Sequence, residues 1–215
     1  MVNTDDNLKD KLNDRRFPMS TRTGNKTFRL AILGVLTAII ILQTFIPFLG
    51  YIPVGPLSLT IIPITVIVAA FVFGPVNGAI VGGVWGMITF IRAFVAPTSP
   101  LAPLIFTNPL ISVVPRILIG VVAGFVFFSL LKTKLGTAWS MRIAALLGAM
   151  TNTILVLGMT YLFYKEPYAN AMGLDVSEVL SAILYIVATN GIAEAVLSAI
   201  IAPIIARPLL KLNKK

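Results

Sequence analysis

The sequence predicts an all-α membrane protein, a bundle of six transmembrane helices with both termini in the cytoplasm. Three observations predict it. Of 215 residues, 57% are hydrophobic and 12% charged, where soluble domains run at roughly 45–50% and 25%. Apolar runs recur at lengths near the roughly 20 residues that cross a bilayer core of about 30 Å, and a chain of this length holds about six of them. Eleven of the charged residues fall in the first 29 positions, so the body of the chain is nearly uncharged.

Residues 1–27 are expected to form a flexible, basic cytoplasmic tail, in which Asp5, Asp6, Asp10 and Asp14 mix with Lys9, Lys11, Arg15, Arg16, Arg22 and Lys26 without an apolar period. The tail lacks the order of a secretory signal, so the first span is expected to be retained. Residues 28–207 form the transmembrane domain. Its runs lie at 28–48, 59–74, 77–95, 109–131, 141–164 and 178–207, and all are expected to be helices because a backbone in lipid must satisfy its own hydrogen bonds. The second run is short and holds Pro63, which predicts a helix that is tilted, broken or partly buried in protein. Gly74-Pro75 makes a tight turn into the third run. Residues 208–215 form a second basic cytoplasmic tail.

Orientation follows from Lys and Arg. The tail to Arg29 carries seven, the connection after the fourth run carries Lys132, Lys134 and Arg142, and the C-terminus carries Arg207, Lys211, Lys214 and Lys215. With six spans these 14 of the 17 basic residues share one side, which the positive-inside bias makes cytoplasmic. The outer connections, Gly50–Pro56 and Ala96–Pro103, are Pro-rich, apolar and uncharged. Such loops either fold back over something or rest among lipid headgroups.

Few residues carry polar chemistry in the body. In the third run Gly78, Gly82, Trp85, Thr89 and Arg92 recur at spacings of four, three, four and three and so share one stripe. The glycines let a neighbouring helix approach closely. Trp85, Thr89 and Arg92 then either face a cavity open to the outside, or divide between core packing and an arginine that reaches the outer interface. Asn190 and Glu194 lie one turn apart in the sixth run, and Asn152 lies at comparable depth in the fifth. An ionisable group at such depth costs about 2.5–3.5 kcal/mol on insertion scales, so Glu194 must be paired, protonated or facing water. Arg116 follows Pro115 in the fourth run; it is expected to be structural, as a partner either of Glu194 or of the carbonyl that the proline leaves free.

The inventory also excludes. The chain has no Cys and no His, which removes disulfides, thiolate metal sites and the commonest general base. No phosphate-binding loop, nucleophile elbow or paired carboxylates occur, and no metal, cofactor or enzymatic activity is expected.

Phe71-Val-Phe-Gly-Pro-Val-Asn-Gly78 and Pro115-Arg-Ile-Leu-Ile-Gly-Val-Val-Ala-Gly124, with the six-helix plan and apolar outer loops, resemble the substrate-binding S components of energy-coupling factor (ECF) vitamin transporters, and within them the pantothenate-specific type. The resemblance spans residues 28–207. It implies a multi-pass protein of the bacterial plasma membrane, in Gram-positive species, that captures a vitamin from outside under its first loop. It then docks onto a transmembrane T component driven by two ATPases and hydrolyses nothing itself. Family members dock through small residues of the first helix, often Ala-x-x-x-Ala. Here Ala31 is followed by Val35, and Gly34 and Ala38 supply the small pair. For an anionic vitamin, Arg92 is expected to meet the carboxylate, Asn152 and Asn190 to offer amide hydrogen bonds and Trp85 to supply an apolar wall, with Thr89 also among the binding residues; Glu194 must then be protonated, paired with Arg116 or bonded to a ligand hydroxyl or N–H. Alternatives are an S component for riboflavin or thiamine, and a stand-alone secondary transporter.

Overall fold

The computed structural model describes residues 26–54, 57–97 and 99–212. Residues 1–25, which hold most of the first expected tail, and 213–215, the last three of the second, lie outside the described residues.

Helix α1 (Lys26–Phe45) ends at Ile46, where the following proline disfavours helical backbone, and a four-residue turn α2 (Pro47–Gly50) follows. The chain then forms an antiparallel hairpin, β1 (Tyr51–Val54) with β2 (Leu57–Thr60), in which Tyr51 faces Thr60 and Val54 faces Leu57. This corrects the expectation of a loop followed by a helix from residue 59. Alternating Leu57-Ser-Leu-Thr60 suits a strand, and the ladder continues with Ile61 N–H donating to the Gly50 carbonyl at 3.0 Å.

Helix α3 (Ile62–Phe73) is buried along its whole length. Its shortness follows from that position, since a helix enclosed by protein need not match the bilayer. Pro63 sits in its first turn, where no intrahelical N–H is required, and therefore bends nothing. Gly74 adopts φ 91°, a conformation that other residues rarely take, and starts α4 (Pro75–Val95).

Two single-turn helices, α5 (Ala102–Ile105) and α6 (Pro109–Ser112), precede α7 (Val114–Leu130). The fourth run is thus interrupted at Val113, and Pro115 lies in the first turn of α7 rather than in a helix interior. The long α8 (Thr137–Met172) departs from helical geometry at Tyr164, three residues before Pro167, and ends on left-handed Gly173. After a 3-10 turn (Val176–Glu178), α9 (Val179–Ile186) passes through a π turn (Val187–Gly191) into α10 (Ile192–Leu212).

The core gathers around α3, with Leu36 and Ile40 of α1, Ile119, Ala123 and Phe127 of α7, and Ala195, Ala202 and Ala206 of α10. The Phe71 and Phe127 rings lie 4.7 Å apart. Large apolar side chains such as Ile80, Phe94, Phe125, Ile154, Leu184 and Ile204 are exposed on the outside, as lipid contact requires. Pro75–Val95, Pro109–Leu130, Thr137–Met172 and Val176–Lys211 are long and apolar enough to cross a membrane, and Leu30–Phe45 and Ile62–Phe73 are shorter apolar helices.

Candidate functional site: a cavity with two arginines

Close contact between α4 and α7 positions the site. A Cβ on Gly120 would stand 2.1 Å from the Gly78 carbonyl carbon, and one on Gly82 would stand 2.1 Å from the Arg116 carbonyl oxygen. Further along, a Cβ on Gly86 would lie 2.7 Å from the Val113 Cα. Only glycine fits at these crossings, and they bring Arg116 of α7 against Trp85 of α4.

Above the crossing lies a cavity of about 230 Å³, lined by Thr44, Thr60, Trp85, Thr89, Arg92, Ala93, Ala102, Phe106, Arg116 and Asn152. Trp85, Thr89, Arg92 and Asn152, named from the sequence, meet here. Asn190 and Glu194 are not part of the lining. Asn190 lies in the π turn that leads into α10, one turn before Glu194. Asn190 Oδ1 faces the Thr189 hydroxyl at 3.5 Å, and Glu194 Oε1 accepts the Thr60 N–H at 2.7 Å. Asn152 Oδ1 is buried without a hydrogen-bond partner.

The two arginines are held differently. The Arg92 guanidinium lies 5.2 Å from the Phe45 ring and donates through Nη1 to the Thr44 carbonyl, while its buried Nε has no hydrogen-bond partner. Arg116, 5% exposed, lies between Trp85 and Phe106, 5.1 and 5.0 Å from their ring centres. Its Nη1 donates to the Ile111 carbonyl at 2.6 Å. Ile111 stands four residues before Pro115, so this is the carbonyl whose helical donor the proline removes. The backbone is thus one of the two partners expected for Arg116. The side chain is nevertheless also a wall of the cavity, which the sequence reading missed. An arginine inside an apolar run was its signal; Phe106 and Thr44 gave none.

Thr89 Oγ1 donates to its own helix at the Trp85 carbonyl, 3.0 Å away. The lining thus combines two guanidinium groups, an unpaired amide oxygen, threonines and two aromatic walls. Among the described lining residues there is no carboxylate. Such a surface can hold a small anion with polar groups further along its chain.

Away from the cavity, Ala31, Gly34, Val35 and Ala38 are exposed along one side of α1. A Cβ on Gly34 would meet nothing within 4 Å.

Comparisons with known proteins agree with this architecture. The family model for the ECF transporter substrate-specific component matches residues 28–206. The chain is 34% identical over 199 residues to the pantothenate transporter PanT of Leuconostoc mesenteroides subsp. mesenteroides, covering 90% of this chain and 97% of that one. It is 32% identical over 200 residues to the pantothenic acid transporter PanT of Lactococcus lactis subsp. cremoris, covering 87% and 96%. Among solved structures, the S component of a bacterial ECF transporter superposes with a TM-score of 0.56 at 22% identity, covering 88% of this chain and 99% of that one. The S component for biotin from an ECF-type ABC transporter superposes with 0.53 at 17% identity, covering 87% and 95%. The fold, the matched span and these relatives together identify the chain as a multi-pass membrane protein that belongs to the substrate-specific components of ECF transporters.

Proposed function

We propose that this chain captures pantothenate from outside the cell and delivers it by docking onto a transmembrane T component energised by two ATPases. The observation that carries the reading is the charge of the cavity: Arg92 and Arg116 line it, and Glu194, the acidic group that sequence reasoning set beside them, is not among the lining residues. A planar guanidinium matches a carboxylate with two parallel hydrogen bonds. Pantothenate also carries an amide and two hydroxyls, and Asn152 Oδ1 waits for a donor of that kind. A cationic vitamin such as thiamine would meet two like charges. Riboflavin is disfavoured by size, because 230 Å³ is below the roughly 300–1,000 Å³ of sites for drug-sized ligands. The pantothenate transporters among its relatives point to the same cargo.

In this reading the two shorter apolar helices complete six spans with the four long ones, and the 14 basic residues of the tails and the Lys132–Arg142 connection face the cytoplasm. The hairpin side of the cavity then faces outward. The exposed small residues of α1, Ala31, Gly34 and Ala38, offer the docking surface. Capture and delivery leave no chemical step to this chain.

Equilibrium dialysis of the purified protein against radiolabelled pantothenate, riboflavin and thiamine tests the proposal. Tight retention of pantothenate alone is expected. Retention of another vitamin would overturn the cargo, and uptake into vesicles containing this chain without ATPases would overturn the division of labour.

A further inference from the structure

Glu194 is a costly residue to keep within a membrane bundle, and the cavity does not use it. Its position explains it. In an antiparallel ladder successive N–H groups point to opposite edges. Ile61 N–H turns toward the partner strand and meets the Gly50 carbonyl, so Thr60 N–H must turn to the outer edge of β2. There it meets Glu194 Oε1 at 2.7 Å. An edge N–H in a water-poor site needs an acceptor, and this one is supplied from α10, 134 residues away in the chain. Strand β2 also touches both the π turn and α10, and Thr60 is itself one of the residues that line the cavity.

We infer that Glu194 is a positioning residue, which fastens the outer edge of the β1–β2 hairpin to α10 and so sets how long a bound ligand stays under it. It touches no ligand itself. The fastening is the grip of one carboxyl group on one residue, Thr60, through its backbone N–H and its side chain, at the hairpin's cavity end, so it can open without disturbing the buried core on α3. The inference rests on the proposed capture role for its consequence, but the bond itself exists without any ligand.

The test uses the full chain in lipid nanodiscs. Hydrogen exchange over residues 57–61, first without ligand, compares the wild type with Glu194→Gln, which keeps an acceptor oxygen, and Glu194→Met, which keeps the volume and loses the acceptor. Exchange across residues 141–149 serves as the check on folding. We expect roughly tenfold faster exchange of the Thr60 amide in the Met variant and near wild-type exchange in the Gln variant. Thr60→Pro removes the donor instead and should loosen the hairpin to the same degree, read at Leu59; it carries the test should the Met variant fail to fold. Pantothenate dissociation is then expected to quicken about tenfold in the Met variant, with association little changed. Unchanged exchange in both the Met and Pro variants would overturn the inference, as would a Gln variant as loose as the Met variant. Absence of pantothenate binding in the wild type would overturn the cargo instead, and leaves the exchange result to decide the fastening.

Discussion

Replacing Gly82 by alanine adds one methyl group at a tight crossing of α4 and α7. The new carbon would lie 2.1 Å from the Arg116 carbonyl oxygen and 2.8 Å from its carbon, where ordinary contact begins at 3.4 Å. Both obstacles are backbone, so no side-chain rotation relieves them. The helices must part by about 1 Å, which the neighbouring crossings at Gly78–Gly120 and Gly86–Val113 resist. Overpacking of this kind costs about 1–3 kcal/mol. The displaced segment carries Arg116 and its stacking on Trp85, so pantothenate affinity should fall at least about tenfold, or 1.4 kcal/mol. Gly83→Ala is the control: its Cβ would lie 3.5 Å from Ile117 Cγ1, an ordinary contact, and the variant should match the wild type. Thermal unfolding in detergent and equilibrium dialysis read the two effects. Equal behaviour of the two variants would refute the reasoning, because it would show that the crossing is not what positions the site.

Arg92→Ala is expected to weaken binding of an anionic vitamin by about tenfold or more, measured by dialysis; unchanged affinity in a folded variant would assign the carboxylate to Arg116 alone. Gly34→Leu, at an exposed position of α1 where a side chain meets nothing, should spare ligand binding and impair co-purification with the T component. Loss of both together would mark Gly34 as internal packing.

The helical runs were legible because lipid imposes long apolar segments, and the stripe from Gly78 to Arg92 was legible because helical spacing puts it on one face. Gly78 and Gly82 do face α7, and Trp85, Thr89 and Arg92 do line one cavity. Two features were hidden for physical reasons. The hairpin is built from residues whose Gly and Pro content reads as loop, and its pairing depends on a partner strand that local pattern cannot reveal. The π turn at Val187–Gly191 inserts a wider helical turn without a sequence marker. Arg116 shows a subtler difficulty. Its bond to the carbonyl freed by Pro115 is with one of the two partners that the sequence offers, yet a residue can satisfy its own backbone and still present a charge to a cavity.

The central claim is that the cavity beside Trp85 holds the vitamin, and the chain provides its own reporter for it. It has two tryptophans: Trp85 is 3% exposed and lines the cavity, whereas Trp139 is 58% exposed and stacks with Arg142 at 5.0 Å. In a Trp139→Phe variant all indole emission comes from Trp85, and titration with pantothenate should change it saturably, with the affinity found by dialysis. Binding by dialysis that leaves the Trp85 emission unchanged would place the ligand elsewhere and contradict the account.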